Sequence, residues 1–182
     1  KKRVAVVGID LLLVTRRLVL DARADIEKRC GIKTECILIG ASHSHSSGPI
    51  GMCEPGDFDN ASPLVKTLAT EKSIVENPGY TQLLRRQIVE AVVDANNSRV
   101  DAKLAVGFGF EDKVSFNRRQ RMKNGLTFSH AGVGNPDIID YAGPIDPKVG
   151  VVGVWDAKTN LLGCVVNFAC HNTVSPGGIS AN

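Results

Sequence analysis

The sequence has few of the features that mark several large classes of protein. Its five cysteines are odd in number and form no C-x-x-C pair, so neither a zinc knuckle nor a disulfide scaffold is indicated. Aromatic residues make up only 5% of the 182 residues, which argues against a surface that stacks nucleic-acid bases. No apolar run approaches the length of a membrane span. No P-loop or G-x-G-x-x-G motif opens a helix, so a stand-alone phosphate-binding function is not indicated.

The charged residues show no strong pattern along the chain. The formal net charge is +3, and no block of one sign is present. Adjacent arginines occur as separate pairs, of which 16–17 and 85–86 are expected on solvated helix faces. We therefore expect no nucleic-acid partner. A hydrophobic fraction of 43% over this length suits a globular chain that buries its own core, and we expect residues 1–182 to form a single domain.

The sequence gives mixed indications about the cellular compartment and suggests that the chain is a fragment. The chain starts without Met, enters an apolar run at once and ends in a Gly-rich segment, so we expect it to be incomplete at both ends. No secretory signal is visible. Asn60 and Asn96 lie in glycosylation sequons, whereas cysteines without a disulfide framework are typical of a reducing compartment. The sequence leaves the compartment and the oligomeric state open.

Apolar runs and helical spacing predict the order of the elements. Two helices are expected, over residues 15–29 and 80–96. The expected strands cover residues 3–10, 34–40, 101–114, 149–155 and 161–169. The first strand, helix and second strand form a βαβ unit with parallel strands, and the last two strands form a hairpin.

Two long segments without periodicity, residues 41–63 and 117–147, are expected to be loops. The whole pattern predicts an α/β fold with a mixed sheet, flanking helices and long site-forming loops after the strands.

The segment that carries the most chemical information follows the second predicted strand. His43 and His45 are two residues apart, and in an extended backbone such side chains point to the same face. Small polar neighbours leave room for a substrate. This spacing suits either two metal ligands or one ligand beside a catalytic imidazole.

Two further polar segments, Asn117–Arg119 and His171–Ser175, also follow apolar runs. Because sites in open α/β sheets gather at the carboxyl ends of strands, we expect the three segments to meet in one pocket. If His43, His45 and His171 converge, they suit Zn²⁺, which lowers the pKa of bound water to about 7. Arg118 would then supply a positive charge for an oxyanion or an acidic substrate group.

The predicted chemistry is metal-assisted hydrolysis of an amide or ester. A serine nucleophile is less favoured, because the segment around Ser42 lacks the second glycine of G-x-S-x-G. His130 has no evident partner in the second predicted loop and is interpreted as an exposed histidine.

Four segments resemble, in order, motifs of the neutral/alkaline non-lysosomal ceramidase family. Ser42–Pro49 resembles its Thr-His-Thr-His-Ser-Gly-Pro signature, and Phe116–Arg119 resembles its Asn-Arg segment. Gly143–Val151 resembles its Asp-Pro-x-Val strand entry. Asn167–Thr173, followed by Ile179–Ala181, resembles its NFA-x-HPT…ISA segment. Together the motifs span most of the chain.

The resemblance implies the N-terminal catalytic domain of a zinc amidase that hydrolyses the N-acyl bond of ceramide, a lipid amide. It implies that His43 and His171 bind zinc and that His45 acts near the scissile bond as an acid or hydrogen-bond donor. Arg118 is implied to stabilise the substrate or transition state. Peripheral membrane contact through the lipid substrate and a secreted or periplasmic location are implied as well.

The chain departs from the family pattern at three points. An extra serine lies between His45 and Gly48, and Asn172 stands where the family has proline. The family's remaining zinc ligands, a Glu and a Tyr, come from a part of the chain beyond Asn182, so the chain alone is expected to lack full activity. Two alternatives stay open: a zinc hydrolase of another amide or ester on the same scaffold, and a non-catalytic member that acts as a binding domain.

Overall fold

The computed structural model describes residues 2–51, 53 and 56–171. Within them the helices are α1 (Arg16–Cys30), α2 (Pro63–Thr70) and α3 (Pro78–Asn97), with a 3₁₀ turn at Thr34–Cys36. The strands are β1 (Ala5–Ile9), β2 (Ile37–Ala41), β3 (Lys103–Phe110), β4 (Gln120–Met122), β5 (Thr127–Phe128), β6 (Ile138–Tyr141), β7 (Lys148–Trp155) and β8 (Leu161–Phe168). The described residues form two compact units, 2–99 and 100–171. None of the described helices has the length and apolar character needed to cross a membrane.

The first unit contains the predicted βαβ motif. β1 and β2 pair in parallel, with Ala5 opposite Ile37, and α1 connects them. The Thr15 side chain accepts a hydrogen bond from the Leu18 amide at the start of α1, and Gly31 ends the helix with φ of 68°. Both end signals are local, which is why the sequence predicts this helix closely.

Helices α1 and α3 pack against this strand pair and bury a core. The core residues that they contribute are Leu18, Ala22 and Ile26 from α1 and Ile88, Val89 and Val92 from α3. Helical spacing predicts an apolar face of α3 made of Leu84, Ile88, Ala91, Val92 and Ala95, but Ala91 and Ala95 are exposed. The face is rotated towards Val89 because the larger β-branched side chains occupy the contact with α1 and the strands.

The second unit is built from antiparallel strands. One sheet has the order β3-β7-β8, and the predicted hairpin between β7 and β8 is confirmed. A second sheet has the order β5-β4-β6 and lies within residues 117–147, so the prediction that this segment is a loop was wrong. These strands are short and partly polar, so they have no apolar repeat that a sequence pattern could show. The Arg121–Asp140 ion pair connects β4 with β6.

The α/β class predicted from the sequence is confirmed. The parallel and antiparallel strand pairs lie in separate sheets, however, rather than in one mixed sheet. Whether residues 1–182 act as a single domain stays a prediction.

Candidate functional site

His43 and His45 lie in contact at the end of β2. Their ring centroids are 4.8 Å apart and the ring planes are nearly perpendicular, at 88°. Both side chains are exposed. β2 ends at Ala41, and His43 has a left-handed backbone with φ of 62°, so the extended geometry assumed from the sequence was wrong. The two rings meet because the chain turns at His43, not because side chains alternate along a strand.

The loop that carries the histidines is hydrogen-bonded to the segment after β1. The Ser42 amide donates to the carbonyl of Ile9 at 3.0 Å, and the Ser44 amide donates to the carbonyl of Leu11 at 3.1 Å. Leu11 is fully buried, which anchors this segment in the first unit. His43 therefore sits between two backbone hydrogen bonds that hold its strained conformation.

The orientation of the His43 ring is set by a backbone carbonyl. Its Nδ1 lies 2.7 Å from the carbonyl oxygen of Leu12. Because a carbonyl can only accept, Nδ1 must carry the proton and donate it, which leaves Nε2 with a lone pair in the neutral ring. Metal-binding histidines commonly make this contact through their second nitrogen. His43 and His45 belong to a group of histidines that could hold a metal ion.

Arg118 lies in the second unit, in a segment held by Asn117. The Asn117 amide group donates to the carbonyl of Pro144 at 3.1 Å, and its oxygen accepts from the Arg119 amide at 3.1 Å. The Arg118 side chain is exposed. This segment leads directly into β4, which begins at Gln120, rather than directly following a strand as the sequence suggested.

His171 also lies in the second unit, shortly after β8 ends at Phe168. It is half-buried, and the turn before it is fixed by a hydrogen bond of 3.0 Å from the Cys170 amide to the carbonyl of Phe168. Asn172 and the Ile179–Ala181 match lie outside the described residues. Because His43 and His45 belong to one unit and Arg118 and His171 to the other, their convergence in one pocket stays a prediction.

Sequence reasoning did not find two groups that shape the histidine loop. The Leu12 carbonyl orients His43, and the Ser47 hydroxyl accepts the Leu12 amide at 3.1 Å. A backbone carbonyl leaves no trace in a sequence. Ser46 and Ser47 together stand where the motif has one serine, and the sequence alone does not distinguish which of the two makes a structural contact.

Comparison with known proteins supports the resemblance. No family model matches the chain. The chain is 26% identical over 174 residues to a neutral ceramidase of Pseudomonas aeruginosa, across 94% of this chain and 23% of that protein. The crystal structure of neutral ceramidase from Pseudomonas aeruginosa matches 90% of this chain with a TM-score of 0.53 and 22% identity, over 23% of its own length. A structure described as a ceramidase complexed with C2 matches equally well, with a TM-score of 0.53 and 22% identity over 90% of this chain and 22% of its own.

The chain thus spans about a quarter of the length of the relatives it matches. At 22% identity the structural match shows a shared fold. The order of the four motifs, the sequence match and the fold agree, and the resemblance of this chain to the neutral ceramidases is confirmed.

Proposed function

We propose that the protein hydrolyses the N-acyl amide bond of ceramide or a related lipid amide with the help of Zn²⁺. The observation that carries the proposal is the Nδ1 contact of His43 with the Leu12 carbonyl, which makes Nε2 the nitrogen that would bind the metal. The match to a neutral ceramidase across 94% of the chain supports the substrate class.

The donor groups suit zinc. Neutral imidazole nitrogen is a common zinc ligand, and the Leu12 carbonyl supplies the outer contact that usually accompanies it. In the proposal His43 and His171 are ligands, and further ligands come from elsewhere in the protein. When bound, zinc would polarise the amide carbonyl and lower the pKa of water.

His45 and Arg118 are proposed to act on the substrate. His45 packs edge-to-face against His43, so its ring is held beside the ligand. In the proposal His45 donates a proton to the nitrogen of the leaving amine as the C–N bond breaks, water adds its hydroxyl to the acyl carbon, and the proton that water loses restores His45. Arg118 supplies a fixed positive charge to the developing oxyanion. The products are a sphingoid base and a fatty acid.

The substrate class also suggests where the protein acts. A ceramide substrate resides in a lipid surface, so we propose peripheral membrane contact through the substrate. A secreted or periplasmic location follows from the same resemblance and is part of the proposal. Fractionation of cells that express the native protein into medium, periplasm and cytoplasm would contradict this location if the protein stayed in the cytoplasmic fraction.

The test is turnover of N-acyl sphingosine by the full-length protein and its variants. His43→Ala and His171→Ala are expected to abolish both turnover and zinc binding. His130→Ala is the matched control, because His130 is exposed and lies outside the proposed site. Activity retained in His43→Ala or His171→Ala would overturn the proposal.

A panel of acyl substrates separates the remaining alternatives. Turnover of short, water-soluble amides or esters without turnover of N-acyl sphingosine would favour a different zinc hydrolase on the same scaffold. Zinc binding without turnover of any substrate would favour a binding domain.

A further inference from the structure

We propose that Ser47 is a positioning residue that fixes the tautomer of His43. This inference rests on the proposed role of His43 as a metal ligand and adds a residue that the chemistry of the site does not itself require. Ser47 does not touch the reacting atoms in this account. It acts through the backbone of the segment that follows β1.

The Ser47 hydroxyl joins the histidine loop to that segment. Its oxygen accepts a hydrogen bond from the Leu12 amide at 3.1 Å, and the hydroxyl donates to the carbonyl of Ser44 at 3.3 Å. The peptide unit between Leu11 and Leu12 is therefore held from both sides, since the carbonyl of Leu11 accepts from the Ser44 amide at 3.1 Å. These contacts fix the direction of the backbone at Leu12.

The next carbonyl along the chain is the acceptor of His43. The oxygen of Leu12 lies 2.7 Å from Nδ1 of His43, so the proton must be on Nδ1. A hydrogen bond of this kind weakens steeply when the acceptor rotates out of line. Ser47 thus controls, through Leu12, which nitrogen of His43 keeps its lone pair.

The Ser47 contact also helps to hold the backbone conformation of His43. A histidine at φ of 62° persists only where its surroundings hold it. Without the Ser47 contact, the loop can relax towards ordinary backbone angles, and the ring then leaves the Leu12 carbonyl. Neutral imidazole in water favours the proton on Nε2, so the relaxed loop would protonate the nitrogen that must bind the metal.

The neighbouring serine provides a matched control. Ser46 and Ser47 are adjacent, but the Ser46 side chain is exposed whereas Ser47 is half-buried against Leu12. The Ser47 hydroxyl contacts the segment after β1 through the Leu12 amide.

The test is the tautomer of His43 in the full-length protein, read from long-range ¹H–¹⁵N NMR correlations without metal. We expect the proton on Nδ1 in the wild type, in Ser46→Ala and in Ser47→Thr, and a large Nε2-protonated population in Ser47→Ala. The zinc dissociation constant from competition with a chelator should rise about tenfold in Ser47→Ala and stay unchanged in Ser46→Ala.

Wild-type His43 with its proton on Nε2 would overturn the inference without any variant, even if Ser47→Ala failed to fold. An unchanged tautomer in folded Ser47→Ala would also overturn it, whatever the zinc affinity. Failure of the wild type to bind zinc would contradict the proposed function instead, while the metal-free NMR comparison would still decide the role of Ser47.

Discussion

The two units differ in how far the apolar side chains of their strands are buried. Every buried apolar side chain in the described part of the chain lies in the first unit, with the exception of Met122. In the second unit β3 is as apolar in sequence as β2, yet Val106 is 80% exposed and Phe110 is 72% exposed. Among the described residues, α1 and α3 cover one face of the strands in the first unit, whereas no helix occurs within residues 100–171.

An apolar strand pattern therefore predicts a strand but not its burial. A strand is buried only where another element of suitable shape covers it. The difference between the units also bears on the site, because His43 is held by a unit with its own core. Its hydrogen-bond partner Leu12 directly follows the fully buried Leu11.

The largest expected effect comes from a pair of matched truncations. Ile26→Ala removes a fully buried side chain of α1 and should lower the free energy of unfolding by about 2–5 kcal/mol. Val106→Ala on β3 should change it by no more than about 0.5 kcal/mol, because that side chain is already exposed. Urea titration followed by circular dichroism measures both. A loss of several kcal/mol from Val106→Ala would break the comparison.

A smaller loss in the free energy of unfolding is expected when acid protonates Asp25 at the contact between α1 and α3. The hydrogen bond from Arg85 to Asp25 lowers the pKa of Asp25 below its usual range, and nearby positive charges act in the same direction. The carboxylate therefore contributes stability above the ordinary pKa of about 3.9, and this contribution is lost as pH falls through the lower folded value. Unfolding midpoints in urea between about pH 5 and pH 2 should show this slope, and Asp25→Asn should flatten it. An unchanged slope in Asp25→Asn would show that other groups cause it.

The smallest effect is expected at the turn between β7 and β8. The side chain of Asn160 donates to Asp156, which lowers the pKa of Asp156, and the Asn160 and Lys158 amides donate to the same carboxylate. The stability that these hydrogen bonds contribute is present above the ordinary carboxyl pKa and is lost as pH falls through the lowered pKa of Asp156. The backbone amide shift of Asn160 should report the titration locally. An Asn160 amide shift that did not move over this pH range, or that moved equally in Asp156→Asn, would contradict this prediction.

The parts of the fold that the sequence predicted well depend on local signals. Thr15 and Gly31 mark the ends of α1 through contacts within one turn, and Asp156 and Asn160 close the hairpin in the same local way. The sheet formed by β4, β5 and β6 was missed because its pairing depends on contacts between residues far apart, such as Arg121 with Asp140.

The site shows the same division. The pattern of residues identified His43 and His45 as a pair, and the structure brings their rings into contact. The extended backbone that the sequence suggested was wrong, because His43 has a left-handed backbone. Backbone hydrogen bonds from Ser42 to Ile9 and from Ser44 to Leu11 hold this turn. They depend on the packing of two segments that are far apart in the sequence. The position of Arg118 before β4 could not be predicted once that strand had been missed.

In the proposed site His43 and His171 would bind one zinc ion together. The most direct test is the metal content of the purified full-length protein by elemental mass spectrometry, beside His171→Ala and the control His130→Ala. We expect nearly one zinc per chain in the wild type and in His130→Ala, and almost none in His171→Ala. Zinc that stays bound in His171→Ala, or a wild type without zinc, would contradict it.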